Sequence, residues 1–442
     1  MDLLRGRAGG WRRHRREHEG QVAKTIAINP SWYWPDDIPR LLGVPPMRAE
    51  RLLIERWARR RADGLALVDV GRTGEALTYA ELQQRVRGVA GALAGRVAPG
   101  ARVAICDARG SAGVIALLGA LAAGTRPALL ASATALQEAL ALQDGAPPQL
   151  AIGCAGAPPS DLSLPAIALS ELLGAAAQAD AAPAGTSSDV HAPVLDLPSG
   201  QGLFAAHSHY SLVAGALSLA AFLAAEGPQS WLSAIELSRW EGIYSVFAAL
   251  YSGGTAVVCD ARQVGDEAAA AIADHNVAYA LLPFDALGDL SRGRPRRLAD
   301  AIKRNLTALL VSVQEPFSAG ERRKARKTLD IPILTIYGLP ECGPILASHP
   351  SWYVDESVGI PLTNVEVQPA NPRTGEPLDT NWELLDYATM VVRTPLVMST
   401  YEGSAAGDQA LAERLEDGWF RTWTNASFDA NGMMYLVEGS RR

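Results

Sequence analysis

The sequence has 442 residues, 48% of them apolar and 20% charged, and its 40 Lys/Arg against 47 Asp/Glu give a net charge of −7. A chain of this length builds two or three structural units with ample apolar surface to bury, which excludes a peptide-sized or disulfide-stapled scaffold and a wholly disordered one. The acidic balance gives no global attraction to nucleic acid or anionic lipid, so no specific nucleic-acid partner is expected.

Four cysteines, Cys106, Cys154, Cys259 and Cys342, stand far apart with no C-x-x-C pair, so neither a zinc site nor a disulfide framework is expected. A reducing, cytoplasmic setting fits that usage. The longest apolar stretches, 112–123 and 212–225, fall short of the ~20 residues that cross a bilayer and are expected to be buried helices, with no transmembrane segment. The first twenty residues hold six arginines with no apolar run behind them. They are expected to be either a disordered basic arm or a local contact with RNA, a membrane surface or a protein partner, not a secretory signal.

In chain order, residues 1–45 read as an extension whose Trp- and Pro-rich end, SWYWPDDIPRLLGVPP, straps over the body. Residues 46–195 read as a first α/β unit. Thr78 and Glu81 form a capping box, and Leu82, Val86, Val89, Ala90 and Leu93 follow at helical spacing. A strand is expected at 103–106 and a helix at 114–123 stopped by Gly124, an order that predicts a parallel sheet. A second α/β unit, 196–350, has buried strands expected at 256–259, 278–282, 308–313 and 333–336. From 351 to 442 short alternating runs such as Val365-Glu366-Val367 and Met390-Val391-Val392 predict a β-rich unit. The fold class expected is α/β, with two stacked parallel-sheet units and a β-rich C-terminal one.

The order of segments LTYAELQQRVRGVAGAL, PGARVAIC, GVIALLGALAAGTRPALL, YSGGTAVV, IYGLPECGP, SVGIPLTNVEVQPANPRTGEPL, LVMSTYEG, DGWFRT and GMMYLVEG resembles the adenylate-forming superfamily from about residue 50 onward. That superfamily includes acyl- and aryl-CoA synthetases, luciferases and nonribosomal-peptide adenylation domains. The resemblance implies the large domain of such an enzyme, ATP with Mg2+ as cofactors, CoA or a carrier-protein thioester as acceptor, and a small carboxylic acid or acyl thioester as substrate. Relatives continue into a small lysine-bearing lid domain, and this sequence stops at the equivalent hinge.

Each signature departs from the family pattern. The loop that holds the leaving phosphates, T-S-G-S-T-G-x-P-K-G, corresponds to LDLPSGQGLFAAHSH, which keeps Ser199, Gly200 and Gly202 but places Leu203 at the lysine. This stretch is either a remnant ligand loop or an ordinary glycine turn. Of the pair His207 and His209, the resemblance favours His209 as the functional one. In Y-G-x-T-E, Tyr337, Gly338 and Glu341 remain and Pro340 replaces threonine. The resemblance implies that Tyr337 stacks on adenine and Glu341 serves as catalytic Mg2+ ligand; the residue types alone equally allow Glu341 to be a surface carboxylate. Gln314, Glu315 and Pro316 would line the adenine slot. In T-G-D, Thr424 replaces the ribose aspartate and Trp423 the glycine, so the indole is expected to fill the ribose volume beside Tyr337. Arg239 and Trp240 occupy the acyl-pocket motif, where Arg239 either meets a substrate carboxylate or coenzyme phosphate or pairs with Glu236 or Glu241.

Two functions follow. One is a divergent synthetase-like protein that keeps an acyl cleft but is impaired in ATP-dependent adenylation, a non-catalytic binding or complex subunit. The other is an active acid–thiol ligase or acyl transferase, completed by a separate small domain or supplied with an activated thioester.

Overall fold

Thr78 caps the helix Tyr79–Ala94 as the sequence predicts: its side chain accepts from the Glu81 amide, and the Glu81 carboxylate accepts from the Thr78 amide at 2.8 Å. The next helix, Gly110–Ala122, starts earlier than expected because Asp69 supplies the missing cap, accepting from the Ser111 amide at 2.8 Å. These helices belong to a computed structural model that describes residues 34–70, 74–142, 147–153, 164–177, 189–200, 202–223, 227–259, 265–350, 353–376, 378, 385–403, 411, 413–429 and 432–438. The basic arm as far as residue 33, Cys154 and the tail 440–442 lie outside the described residues.

Two large sheets organise the chain. The nine-stranded sheet runs in the order Ile360–Pro361, Gly343–Ala347, Ile333–Leu339, Ala308–Ser312, Val277–Pro283, Ser230–Ser233, Thr255–Cys259, Leu65–Val70 and Ala76–Thr78, parallel through its middle. The seven-stranded sheet runs Thr400–Glu402, Leu203–Ser208, Pro193–Gly200, Arg126–Leu130, Arg102–Cys106, Leu150–Ile152 and Ala166–Ile167. A third, antiparallel sheet of Glu366–Ala370, Leu385–Arg393, Trp419–Phe428, Leu415–Glu416 and Met434–Leu436 forms the β-rich end.

The strands do not keep to the expected chain boundaries. Leu65–Val70, inside the first expected unit, pairs parallel with Thr255–Cys259 of the second expected unit in the nine-stranded sheet, from Leu67 opposite Ala256 to Val70 opposite Cys259. Thr400–Glu402, from the expected third unit, closes the edge of the seven-stranded sheet against Leu203–Ser208. Local patterning signals a strand but not a partner nearly two hundred residues away.

One continuous core, holding the helices Tyr79–Ala94, Gly110–Ala122, His209–Phe222 and Trp240–Tyr251, joins the two sheets. The opposite face of the nine-stranded sheet carries a separate core under the helices Asp266–Asp274, Ala286–Ser291, Arg296–Asn305 and Ala319–Leu329. The described part of the Trp- and Pro-rich segment, from residue 34, contacts the segment around Thr363. Thr363 donates to the Pro39 carbonyl at 2.8 Å, the Asn364 amide to Arg40 at 2.9 Å, and Ile38 is buried. Among the described residues no helix is long and apolar enough to cross a membrane.

A fully buried arginine anchors the connection into the β-rich end. Arg322 donates to the carbonyls of Ile333, Ser357, Val354 and Asp355 and to Ser348 Oγ, with the Tyr353 ring 4.4 Å from its guanidinium carbon. Burial lowers its pKa to about 10, which leaves it charged at neutral pH. Arg322→Met keeps much of the volume but strands these acceptors, and is expected to cost about 3 kcal/mol or more in urea unfolding.

Candidate functional site

The stretch corresponding to the phosphate loop is a tight hairpin. Pro193–Gly200 and Leu203–Ser208 pair antiparallel down to Gly200 opposite Leu203, with Gly200 and Gly202 at φ of +89° and +76°. Both glycines serve the turn, since only glycine adopts those angles freely. Leu203 is half-buried at the expected lysine position.

Facing it is a second hairpin, Ile333–Leu339 to Gly343–Ala347, whose three-residue tip is Pro340-Glu341-Cys342. Gly338 is required there, because a Cβ would run into the Gly343 carbonyl and the Trp240 indole. Trp240 is therefore a buried support beneath the hairpin. Glu341 is only 3% exposed, which rules out a surface carboxylate. Its Oε1 accepts from Ser199 Oγ at 2.5 Å, Tyr401 Oη at 2.8 Å and Arg414 at 3.0 Å. Burial, and then the charge of Glu341, push the Tyr401 phenol upward, so Tyr401 acts as a donor.

Of the two histidines, the structure brings His207 to this tip. Its Nε2 lies 2.6 Å from the Pro340 carbonyl, an acceptor only, so Nε2 carries the proton and Nδ1 faces Ser211 at 3.3 Å. His209 instead meets the start of the helical segment that follows the strap: its Nδ1 accepts from the Ala49 amide at 3.3 Å beside Glu50. Burial, and then the Arg48 charge, lower its pKa to about 3. The structure thus places His209, the expected catalytic candidate, in a buried contact away from Glu341.

Tyr337 is buried, and its hydroxyl lies 2.5 Å from Thr424 Oγ1, joining the hairpin to the strand Trp419–Phe428. Trp423 does not fill the space beside Tyr337; it is 42% exposed. Its backbone is left-handed at φ +57°, a conformation that favours glycine, the residue the family motif has there. Asp429 accepts from Tyr435 at 2.9 Å and from the Met433 amide at 3.0 Å, a turn of the β-rich sheet.

Arg239, Glu241 and Gln314 form a second polar cluster at the start of the helix Trp240–Tyr251. Buried Glu241 Oε1 accepts from Arg239 at 2.6 Å, Ser312 Oγ at 2.6 Å and Gln314 Nε2 at 3.1 Å. Arg239 thus takes Glu241, while Glu236 pairs with Arg109 at 3.0 Å. Glu315 and Pro316 are exposed. Sequence reasoning missed Arg414, Ser312 and the buried role of Glu241. Tyr401 lay inside a recognised segment, LVMSTYEG, without a role.

Among the described residues no group of three His, Cys, Asp or Glu side chains is placed to hold a metal. Glu341, the residue that would hold the implied Mg2+, has its Oε1 already engaged by Ser199, Tyr401 and Arg414. Thr424, which the resemblance sets at the ribose, has its hydroxyl engaged by Tyr337.

The sequence profile described as AMP-binding enzyme matches residues 54–189 and 205–402, and the chain belongs to that family. It is 25% identical over 239 residues to a 2-succinylbenzoate–CoA ligase of Bacillus licheniformis, covering 53% of this chain and 45% of that protein. It is 31% identical over 111 residues to the putative acyl–CoA ligase YdaB of Bacillus subtilis, covering 25% of this chain and 21% of that one. These matches span less than half the length of either relative. Among solved structures it resembles the o-succinylbenzoate CoA synthetase of Bacillus subtilis, with a TM-score of 0.74 at 19% identity over 88% of this chain and 78% of the other. It also resembles VinN, with a TM-score of 0.75 at 18% identity over 89% and 99%. Both are likenesses of fold.

Two measurements check the site. Arg414→Ala leaves a buried carboxylate without its charged donor and is expected to cost about 3 kcal/mol in urea unfolding. Adding Glu341→Gln to it should recover more than half of that loss, as coupled partners do in a double-mutant cycle. For His209, the folded pKa lies below the unfolded value of 6.5, so its contribution is complete above pH 6.5 and is lost as pH falls toward 3. Between pH 6 and 5 the parent is expected to lose up to about 1.4 kcal/mol more than His209→Gln, read by urea unfolding at each pH.

Proposed function

We propose that this chain uses the AMP-binding fold to bind an acyl carboxylate or acyl thioester and to form a complex, without carrying out Mg2+- and ATP-dependent adenylation. The observation that carries this reading is the internal ion pair: Arg414 lies 3.0 Å from Glu341 Oε1, which also accepts from Ser199 and Tyr401, so the charge of this carboxylate is met inside the protein. Leu203 and Thr424 support it. Replacing the phosphate lysine and the ribose aspartate removes two charge-assisted contacts, each worth about 1.5–3 kcal/mol, which lowers ATP affinity by more than about a hundredfold.

Arg239 is exposed on the cluster with Glu241, Ser312 and Gln314, a cation fixed by a buried carboxylate and available to an anionic group. An acid–thiol ligase completed by a separate domain, or a transferase using an activated thioester, is the competing outcome. If it holds, ATP or CoA is turned over.

The test is calorimetry with ATP and Mg2+ together with acid-dependent pyrophosphate exchange over a panel of carboxylic acids that includes 2-succinylbenzoate. ATP is expected to bind more weakly than about millimolar, with exchange near background. Leu203→Lys and Thr424→Asp, singly or together, should leave exchange near background, because catalytic groups that act as a unit are strongly non-additive. A micromolar ATP dissociation constant in the parent chain, or robust exchange in either single variant, overturns the proposal.

A further inference from the structure

Charge is distributed unevenly along this chain. Between Arg292 and Lys327 there are eleven Lys/Arg and three Asp/Glu, a net charge of +8 in a chain whose total is −7, so the remainder carries −15. Three of the four lysines in the whole sequence, Lys303, Lys324 and Lys327, fall in this stretch.

The structure sorts these cations into two groups. Arg322 is buried, and Arg292, Arg297, Arg323 and Arg326 have local carboxylate partners in Asp289, Asp266, Glu356 and Asp355. Arg294, Arg296, Lys303, Arg304, Lys324 and Lys327 are exposed and form no ion pair among the described residues. The helices that carry most of them, Arg296–Asn305 and Ala319–Leu329, lie on the outer face of the nine-stranded sheet, away from the core shared with the other sheet. Each precedes a strand of a parallel set, so the two helices run in the same direction and their last turns, bearing Lys303 with Arg304 and Lys327, reach the same edge of the sheet. Lys324 and Lys327, three apart, share one helix face.

We propose that this outer helical face docks an acidic protein surface, one that presents clustered carboxylates. The proposal deepens the complex-forming reading above by giving the partner its chemistry. Lys303, Arg304, Lys324 and Lys327, carried toward the same end of two neighbouring helices, repel one another, and opposed carboxylates relieve that repulsion while steering the encounter. A nucleic-acid backbone fits less well, because Asp300, Glu321 and Asp330 are exposed among the cations and no large aromatic side chain is exposed there to stack on a base. A lipid surface fits less well too: the apolar residues of the first helix, Leu298, Ala299, Ala301 and Ile302, are buried against the sheet, which leaves none to insert.

The experiment uses the full chain and a fluorescent helical peptide bearing Glu at three- and four-residue spacing, read by anisotropy at low and high salt. The Gln counterpart of the peptide, a DNA duplex and phosphatidylserine/phosphatidylcholine vesicles are run in parallel. The Glu peptide is expected to bind with steep salt dependence and more tightly than the other three probes. The variant Lys303→Gln/Arg304→Gln/Lys324→Gln/Lys327→Gln should weaken binding about tenfold or more, since exposed pairs contribute modestly but add. The control Arg40→Gln/Arg51→Gln/Arg60→Gln/Arg373→Gln makes the same change in net charge at exposed positions elsewhere and should stay within about twofold of the parent. Equal weakening by both variants, or tighter binding of DNA or vesicles than of the Glu peptide, overturns the proposal. Pyrophosphate exchange by the parent would overturn only the adenylation reading, and the docking result would stand.

Discussion

The Glu341 carboxylate has been taken out of water, and a buried charge must be met by donors or by an opposite charge. Three parts of the chain meet it. Ser199 comes from the hairpin of the seven-stranded sheet, Tyr401 from the edge strand of that sheet, and Arg414 from the approach to the antiparallel sheet. The main chain joins in, since the Met398 amide donates to the Glu341 carbonyl at 2.7 Å. One carboxylate thus fixes where three sheets converge, and the same convergence sets the chemistry open to the cleft.

This chain keeps the family's fold while several of its signature side chains differ. The family's architecture rests on buried apolar positions and on backbone shapes that tolerate changed side chains. The left-handed backbone at Trp423 and the close approach that demands Gly338 are both present. The polar groups that the resemblance assigns to ATP are changed at Leu203, Pro340 and Thr424, and the fold uses the residues present: Leu203 pairs with Gly200 and Thr424 meets Tyr337 across two sheets.

What was legible in the sequence was mostly local. A capping box, strands of buried residues and a Tyr-Gly-x-x-Glu run announce themselves within a few positions, and they stand in the structure where the pattern puts them. Long-range pairing left no such mark. His207 and His209 are two residues apart on continuous chain, and only the fold decides that one meets Pro340 while the other meets Ala49. Arg414 has no periodic or motif context, so its meeting with Glu341 was invisible. The exposure of Trp423 was misjudged for a related reason: its volume was clear, but its direction depends on a left-handed backbone set by the neighbouring strands.

The exchange of strands between units has a consequence for how the chain is made. The strand Leu203–Ser208 has an open edge until Thr400–Glu402 arrives to cover it, and Leu65–Val70 waits for Thr255–Cys259. On a ribosome the early segments must therefore spend the synthesis of roughly two hundred further residues without their partners. Such late closures slow folding and leave edges able to recruit the wrong strand. Nascent chains of this protein depend on whatever shields those edges until the second half emerges.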